Sequence, residues 1–368
     1  MCRGRTNAGT AAATAFPGLT RHSYFPYITG CGLVPAGYFT ICDSCNRTVI
    51  IHSYHRCFIS GIRPVTNQPS SRFAHRPLRH WRERLIESVL FLAAFSAVMV
   101  TLAIIVILVV ESSTFFEHVS LKDFLTDTQW TPLFSDAHYG IMPLVAGTLV
   151  TSGVALLVAV PLGTIIAIYL SEFAPHTVRE VVKPVLELLA GVPTIVFGYF
   201  ALLFVTPLLQ ILIPGLPGFN MLGPGIVIGI MIIPYVSSVS EDAMRAVPMH
   251  IREGSYAMGA TRFQTALRVV TPAATSGIVA AYILGISRAV GETMVVAVAA
   301  GQQPNFTWNP MEPAATITTY IVQVSLGDLP HGSVGYQSIF AAGLVLLLMT
   351  LLFNIIGHLL RKRFRQVY

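Results

Sequence analysis

Six apolar runs divide the chain from about residue 85 onwards. They lie near residues 86–110, 143–170, 186–212, 222–240, 275–300 and 337–360. An α-helix needs about 20 mostly apolar residues to cross the ~30 Å hydrocarbon core of a bilayer, and each run has about that length. The pattern predicts an all-α integral membrane protein with six transmembrane helices.

The first 84 residues contain no comparable run. This segment is rich in Pro, Gly, Ser, Thr, Arg and His and has no sustained apolar period. Such a composition predicts disorder, or an extension upstream of the true start of the protein. It also lacks the apolar core of a signal peptide. We therefore expect two parts: an N-terminal segment, residues 1–84, and a membrane domain, residues 85–368.

Basic residues fall on alternate sides of the six runs. One side carries Arg72, Arg76, Arg79, Arg82, Arg84, Arg179, Lys183, Arg245, Arg252, Arg262, Arg268, Arg361, Lys362, Arg363 and Arg365. The first loop on the other side, residues 111–142, has Lys122 as its only basic residue beside five acidic ones. Because Lys and Arg accumulate in cytoplasmic loops, both termini are predicted to be cytoplasmic.

Composition supports the membrane class and removes several others. The chain is 54% hydrophobic and 11% charged, against roughly 25% charged residues in soluble domains. The topology accounts for its net charge of +6, so nucleic acid is not needed as a partner. All five cysteines lie in the first 57 residues, and Cys42 and Cys45 form a half-motif without two further ligands. We expect no metal, no cofactor and no catalytic site.

Two charges interrupt the fifth run, in the stretch SRAVGETMVVAVAAG from Ser287 to Gly301. A charge in a membrane span costs at least ~2.5–3.5 kcal/mol, so such residues usually face a cavity or a partner. Arg288 and Glu292 are four residues apart, which predicts one shared helix face. They form either a structural ion pair or a site where the guanidinium binds an oxyanion, with the small residues Gly291 and Ala289 allowing close packing or a cavity beside the pair.

The longest loop on the basic side, residues 241–274, has its own helical pattern. We predict a short helix from Glu253 to Met258, a break at Gly259, and a second helix with Phe263, Ala266, Leu267 and Val270 on one face. This is either an amphipathic cover for the bundle or a docking element for another protein. Glu241, Asp242 and Arg245 at its start are predicted to be a solvated helix end.

This loop resembles the EAA loop of ABC importer permeases. Glu253-Gly254-Ser255 corresponds to Glu-Ala-Ala, Gly259 follows six residues after the glutamate, and Pro272 follows nineteen after it. Gly254 and Ser255 depart from the two alanines but remain small. In that family the loop is a coupling helix that fits a cleft on a separate ATPase, which implies this role for Glu253, Gly254, Ser255, Gly259 and Pro272.

Three stretches narrow the resemblance to the PstC-type membrane subunits of phosphate-specific ABC importers. They are LAGVPTIVFG from Leu189, IPYVSSVSEDAMRAVP from Ile233, and the stretch from Ser287. The resemblance implies a type I permease fold in the bacterial inner membrane and a heterodimer with a PstA-like subunit. It also implies two ATPase subunits, a periplasmic phosphate-binding protein, and a substrate pathway at Ser287, Arg288, Gly291 and Glu292.

Two other functions remain open from the sequence. A permease for another oxyanion, sulfate or molybdate, would need the same kind of pathway. A secondary transporter could use Arg288 and Glu292 as a proton relay without an ATPase, but it would have no use for an EAA-like loop. The chain contains no phosphate-binding GxxxxGK[ST] motif, so any ATP hydrolysis must come from a partner.

Overall fold

The computed structural model describes residues 77–132, 134, 136–330 and 332–363. The prediction for Cys42 and Cys45, and that for residues 1–76, lie outside this range. The helices are α1 (Pro77–His118), α2 (Leu121–Thr126), α3 (Met142–Phe173), α4 (His176–Ala190), α5 (Thr194–Leu212), α6 (Leu222–Arg245), α7 (Met249–Ala257), α8 (Arg262–Ala273), α9 (Thr275–Val290), α10 (Met294–Ala299), α11 (Ile317–Gln323) and α12 (Val334–Arg363).

Six segments of the described chain are candidates for membrane spans, as predicted. Helices α1, α3, α5, α6 and α12 are long and apolar enough, and α8 with α9 forms a sixth candidate that bends by 73°. Residues 77–84, which we assigned to the N-terminal segment, form the first two turns of α1.

Two predicted spans have the wrong boundaries. The run 186–212 is broken at Gly191, Val192 and Pro193, because Pro193 cannot donate the hydrogen bond that would continue α4. Residues 186–190 therefore end α4, which lies outside the span. The run 275–300 is broken at residues 291–293, and its last part is the separate short helix α10.

Small residues bring α3 and α6 close together. A Cβ added at Gly225 would lie 2.7 Å from the side chain of Val154, and one added at Gly229 would lie 2.7 Å from that of Val158. Neither clash can be relieved by a flexible side-chain end, so only glycine fits. The four-residue spacing places both glycines on one face of α6, as in the close helix contacts common in membranes.

The first loop has a fold of its own. Trp130 and Tyr139 form an isolated antiparallel bridge, and their rings pack with Phe115 and Phe124 in edge-to-face contacts. Phe115, Phe124 and Trp130 are buried. Buried aromatic rings in this geometry stabilise a fold beyond their area alone. The loop is therefore a packed cap against α11 and α12 rather than a linker.

His138 links two parts of this cap through contacts with Asp127 and Asp136. Its Nδ1 lies 3.0 Å from Oδ2 of Asp127, and its Nε2 lies 3.6 Å from Oδ2 of Asp136. The hydrogen bond with Asp127, and to a lesser degree the charge of Asp136, raise the pKa of His138 above its ordinary value of 6.5 against the opposing effect of desolvation. A raised histidine pKa stabilises the cap at low pH, and this stabilisation is lost as the pH rises through the folded pKa.

Asp127→Asn is expected to lower the pKa of His138, because it removes the largest of the causes that raise it. Emission from Trp130 reports the change in a protein whose other tryptophans, Trp81 and Trp308, are replaced by Phe. The parent should titrate with a midpoint above 6.5, and the variant with a lower one. An identical midpoint in both proteins would contradict the role of Asp127.

Candidate functional site

Arg288 and Glu292 do not share a helix face, contrary to the prediction. Helix α9 ends at Val290, Gly291 forms its C-cap, and α10 begins only at Met294. Glycine is a common helix terminator, and here it places Glu292 in a turn between two helices. No salt bridge joins Arg288 to Glu292 in the described part of the chain, although the charge of Arg288 still acts on the Glu292 carboxylate.

Arg288 lies against the ring of Tyr235 on α6. Its Cζ is 4.6 Å from the ring centroid, a distance typical of a cation–π interaction. Its Nε is buried and has no hydrogen-bond partner among the described residues, and the same holds for Oγ of the neighbouring Ser287. A buried unpaired donor costs about 1–3 kcal/mol unless water or a ligand satisfies it. The guanidinium is therefore held in place by a ring while its Nε–H stays available.

Glu292 stabilises the turn between α9 and α10. The residue is 7% exposed, and its carboxylate interacts with the backbone N–H groups of Thr293 and Val295 and with the hydroxyl of Thr194. Its carbonyl oxygen accepts a hydrogen bond of 2.9 Å from the Thr318 hydroxyl. Glu292 therefore links α5, α10 and α11 and fixes the turn that follows Arg288.

Gly291 does not provide a close helix contact, which is one of the two roles predicted for it, and its place in the substrate pathway stays a prediction. It is exposed, and a Cβ added there would meet nothing closer than 3.4 Å, an ordinary contact. Close packing occurs instead at Gly198 on α5, where an added Cβ would lie 3.0 Å from Cβ of Val298 and 3.1 Å from the carbonyl of Met294. Ala289 is buried in the core as expected.

The three stretches that carried the family resemblance meet at this break. Thr194 and Gly198 come from the first, Tyr235 from the second, and Arg288 and Glu292 from the third. Thr194 and Tyr235 lie within two of these stretches, but the sequence analysis gave them no role. The spacing of residues along the chain does not show which distant helices are in contact. Together they form a polar site with one cation inside an apolar bundle.

A second polar cluster lies where α4 meets the end of α6. Glu241 is fully buried, and its carboxylate lies 3.2 Å from Nε of Arg179, 3.1 Å from Nζ of Lys183 and 3.6 Å from Arg245. The prediction of a solvated helix end is wrong for Glu241 and holds for Asp242, which is 64% exposed. Arg179 and Lys183 lie far from Glu241 in the sequence, on α4. The sequence pattern around Glu241 therefore could not predict these contacts.

Lys183 bridges the two carboxylates, at 2.8 Å from Asp242 and 3.1 Å from Glu241. Partial desolvation lowers the pKa of Lys183, but the hydrogen bonds to Asp242 and Glu241 outweigh it and leave the pKa raised above 10.5. The ammonium is therefore charged throughout the neutral range. The cluster holds α4 to α6 by charge.

The loop 241–274 is a helical hairpin fixed by polar contacts of Ser255 and Arg252. Oγ of Ser255 on α7 lies 2.9 Å from Oγ1 of Thr265 on α8. Arg252 is buried and binds Glu172 at 3.0 Å as well as the carbonyls of Met244 and Val247. Helix α7 begins at Met249, four residues before the predicted start. The hairpin is thus rigidly attached to the ends of α3 and α6.

The hairpin exposes several apolar side chains. Ala266 and Val270 are buried, but Phe263 and Leu267 are exposed, so the predicted common face is wrong. The wide π-type turn Ala266–Val270 breaks the 3.6-residue period on which that prediction depended. The exposed apolar side chains of the hairpin are Met249, Tyr256, Met258, Phe263 and Leu267.

Glu253, Gly254, Gly259 and Pro272 are all exposed on the hairpin. Gly259 has a φ of +83°, which a residue with a side chain rarely adopts, and it turns the chain between α7 and α8. Gly254 has open space around an added Cβ, so alanine would fit there. The predicted coupling residues are therefore accessible, apart from the half-buried Ser255.

The chain is similar in sequence to known permeases. Residues 159–366 match the family described as the binding-protein-dependent transport system inner membrane component. A probable ABC transporter permease protein, YqgH of Bacillus subtilis, is 38% identical over 67% of this chain and 79% of the relative. The phosphate transport system permease protein PstC of Haemophilus influenzae is 30% identical over 78% of this chain and 95% of the relative.

The fold agrees with these matches. A bacterial ABC transporter involved in the import of the acidic polysaccharide alginate superposes with a TM-score of 0.56 at 17% identity, over 78% of this chain and 100% of that one. The chain therefore belongs to the binding-protein-dependent ABC importer permeases, the multi-pass, non-catalytic membrane components of these systems, and has their type I fold.

Proposed function

We propose that this chain forms half of the phosphate pathway of an ATP-driven importer in the bacterial cytoplasmic membrane. It pairs with a PstA-like permease, two ATPase subunits and an extracytoplasmic phosphate-binding protein. Its basic side, with α4, the hairpin of α7 and α8 and the end of α12, faces the cytoplasm, in keeping with the positive-inside rule. Several relatives named as phosphate permeases support this reading, including one from Mesorhizobium japonicum at 33% identity.

The observation that carries the proposal is the guanidinium of Arg288, whose buried Nε has no hydrogen-bond partner among the described residues. Arg offers donors in a planar fork that matches two oxygens of a tetrahedral anion and stays charged at any physiological pH. Tyr235 supports one face of the guanidinium, while the buried Nε has no partner in the described chain. A single cation binds an anion weakly enough for release, which transport requires.

The Glu292 carboxylate contributes to the anion selectivity of the pathway. Its carboxylate would repel a fully ionised anion such as sulfate, whereas HPO₄²⁻ carries a proton that it can donate to a carboxylate. The contacts of Glu292 with Thr194 and Val295 fix that carboxylate near Arg288 without a salt bridge. Contact between Glu292 and phosphate is part of the proposal. The alternative is transport of another oxyanion, such as sulfate or molybdate.

The hairpin of α7 and α8 transmits conformational changes of the ATPase to the pathway. Its exposed apolar surface, with Phe263 and Met258 at 63% and 88% exposure, suits insertion into a cleft of an ATPase. Arg252 connects α7 to Glu172 on α3 and to the end of α6, and α6 carries Tyr235. A rigid-body shift of the hairpin therefore moves the helix that supports Arg288.

Glu253→Arg is expected to uncouple ATP hydrolysis from uptake. Glu253 is exposed and has no ion-pair partner in the described chain, so its reversal should leave this subunit folded while placing a wrong charge at the ATPase contact. We expect phosphate uptake per ATP hydrolysed to fall about tenfold or more, as for an interface hot spot. Gly259→Pro should act similarly, because proline cannot adopt the positive φ at this turn.

Gly254→Ala is the matched control on the same helix, because it introduces the alanine that the EAA pattern has at this position. Its added Cβ meets nothing within 4 Å, so uptake and coupling should remain at the parent level. Parent-level coupling in Glu253→Arg, or a loss in Gly254→Ala as large as in Glu253→Arg, would contradict the assignment of this surface.

Uptake of labelled phosphate by cells tests the function as a whole. Cells with this chain and the ATPase should accumulate phosphate, and deletion of either should abolish that accumulation. Accumulation that persists without the ATPase would favour an ion-coupled transporter. Accumulation of sulfate or molybdate in place of phosphate would favour the other oxyanions.

A further inference from the structure

A groove of about 480 Å³ opens between the start of α9 and the end of α12. It is lined by Ser276, His358, Arg361 and Lys362. The two helices approach closely just above it, because a Cβ added at Gly357 would lie 2.3 Å from the side chain of Ile283. The groove therefore lies beside a close contact of the two helices and has a basic rim formed by Arg361 and Lys362.

The cations of this groove lack the counter-charges found elsewhere on the same side. Arg179, Lys183 and Arg245 surround the carboxylate of Glu241, and Arg252 binds Glu172. In the described chain no carboxylate pairs with Arg361 or Lys362. Among the described residues, Arg361 makes a polar contact with Nδ1 of His358, at 3.2 Å. The groove thus presents donors and positive charge to whatever occupies it.

An exposed apolar surface leads along α12 to this basic rim. Its residues are Leu351, Leu352, Ile355, Ile356, Leu359 and Leu360. In a bilayer this arrangement places hydrocarbon beside the helix and the charged rim at the level of the headgroups. Basic pockets between transmembrane helices are suited to anionic lipid headgroups.

We propose that this groove binds the headgroup phosphate of an anionic phospholipid. Arg361 and Lys362 contact the phosphate, the Ser276 hydroxyl donates a hydrogen bond from α9, and the acyl chains follow the apolar surface of α12. The lipid would thereby join α9, which carries Arg288 at its other end, to α12. The proposal does not depend on which substrate the permease transports.

Native mass spectrometry of the purified full complex can test this site. The complex is stripped of lipid in detergent and then offered phosphatidylglycerol or phosphatidylcholine at equal concentration. The parent should retain phosphatidylglycerol preferentially. Arg361→Gln should weaken that retention about fivefold, the equivalent of about 1 kcal/mol for one surface cation. Ser276→Asp, which adds a negative charge from the opposite wall, should weaken it at least as much.

Arg363→Gln is the matched control, because it makes the same change on the same helix end outside the groove. It should retain phosphatidylglycerol at the parent level. Unchanged retention in Arg361→Gln, or an equal loss in Arg363→Gln, would overturn the proposal. Displacement of the lipid by millimolar inorganic phosphate would assign the groove to the free anion and would also overturn it.

Discussion

Replacing Arg288 by lysine is expected to reduce phosphate uptake about tenfold to a hundredfold. Lysine keeps the charge but loses the planar fork, and with it a charge-assisted hydrogen bond of ~1.5–3 kcal/mol to the anion. It also loses the stacking of the guanidinium on Tyr235. Initial rates of labelled phosphate uptake in cells that lack the native chain measure the effect.

Two further variants separate binding from assembly. Arg363→Lys makes the same exchange at the exposed end of α12 and should leave uptake unchanged. Tyr235→Phe keeps the ring under the guanidinium and should retain most uptake, whereas Tyr235→Leu should approach the loss seen in Arg288→Lys. If the amount of assembled complex is equal throughout and Arg288→Lys transports at the parent rate, Arg288 does not belong to the pathway.

Glu241→Gln is expected to destabilise the subunit by on the order of 2–3 kcal/mol. It leaves Arg179, Lys183 and Arg245 around a neutral amide, and removal of one partner from a buried ion pair is strongly unfavourable. This loss of stability is smaller than the loss expected for a fully buried ion pair, because Arg179 and Lys183 are about a quarter exposed and are partly screened by solvent. The thermal midpoint of the purified complex should fall by about 5 °C or more.

Asp242→Asn provides a matched control at the next residue. It makes the same carboxylate-to-amide change and also removes a partner of Lys183, but Asp242 is 64% exposed. Its effect should stay below about 1 kcal/mol, as for surface ion pairs. Equal shifts of the midpoint in the two variants would show that the burial of Glu241 does not matter, and would contradict the role of this cluster in holding α4 to α6.

The membrane class and the number of spans could be predicted because long apolar runs leave few alternatives in a bilayer. The breaks at residues 191–193 and 291–293 were missed for one shared reason. The residues before and after each break are equally apolar, so hydropathy alone joins them into one run. Pro193 and Gly291 marked both positions, but membrane helices also tolerate such residues in their interiors.

The site was predicted in part. Arg288 and Glu292 stood out because charges in a span are costly. Their four-residue spacing predicts a shared helix face only within one continuous helix, and α9 ends between them. Thr194, Tyr235 and the cations around Glu241 come from other helices, so their contacts depend on tertiary packing. Phe263 and Leu267 were predicted on one face with Ala266 and Val270 but are exposed while those two are buried, because a π-type turn changes the period of α8.

ATP-driven accumulation of labelled phosphate by liposomes tests the central claim most directly. The liposomes contain the purified complex of this chain with its partners, the binding protein is supplied on the outside, and ATP is enclosed within. Labelled sulfate and molybdate are offered in parallel. The account predicts accumulation of phosphate alone, lost with Arg288→Lys. Accumulation of sulfate or molybdate but not phosphate, or of phosphate undiminished by that variant, would contradict it.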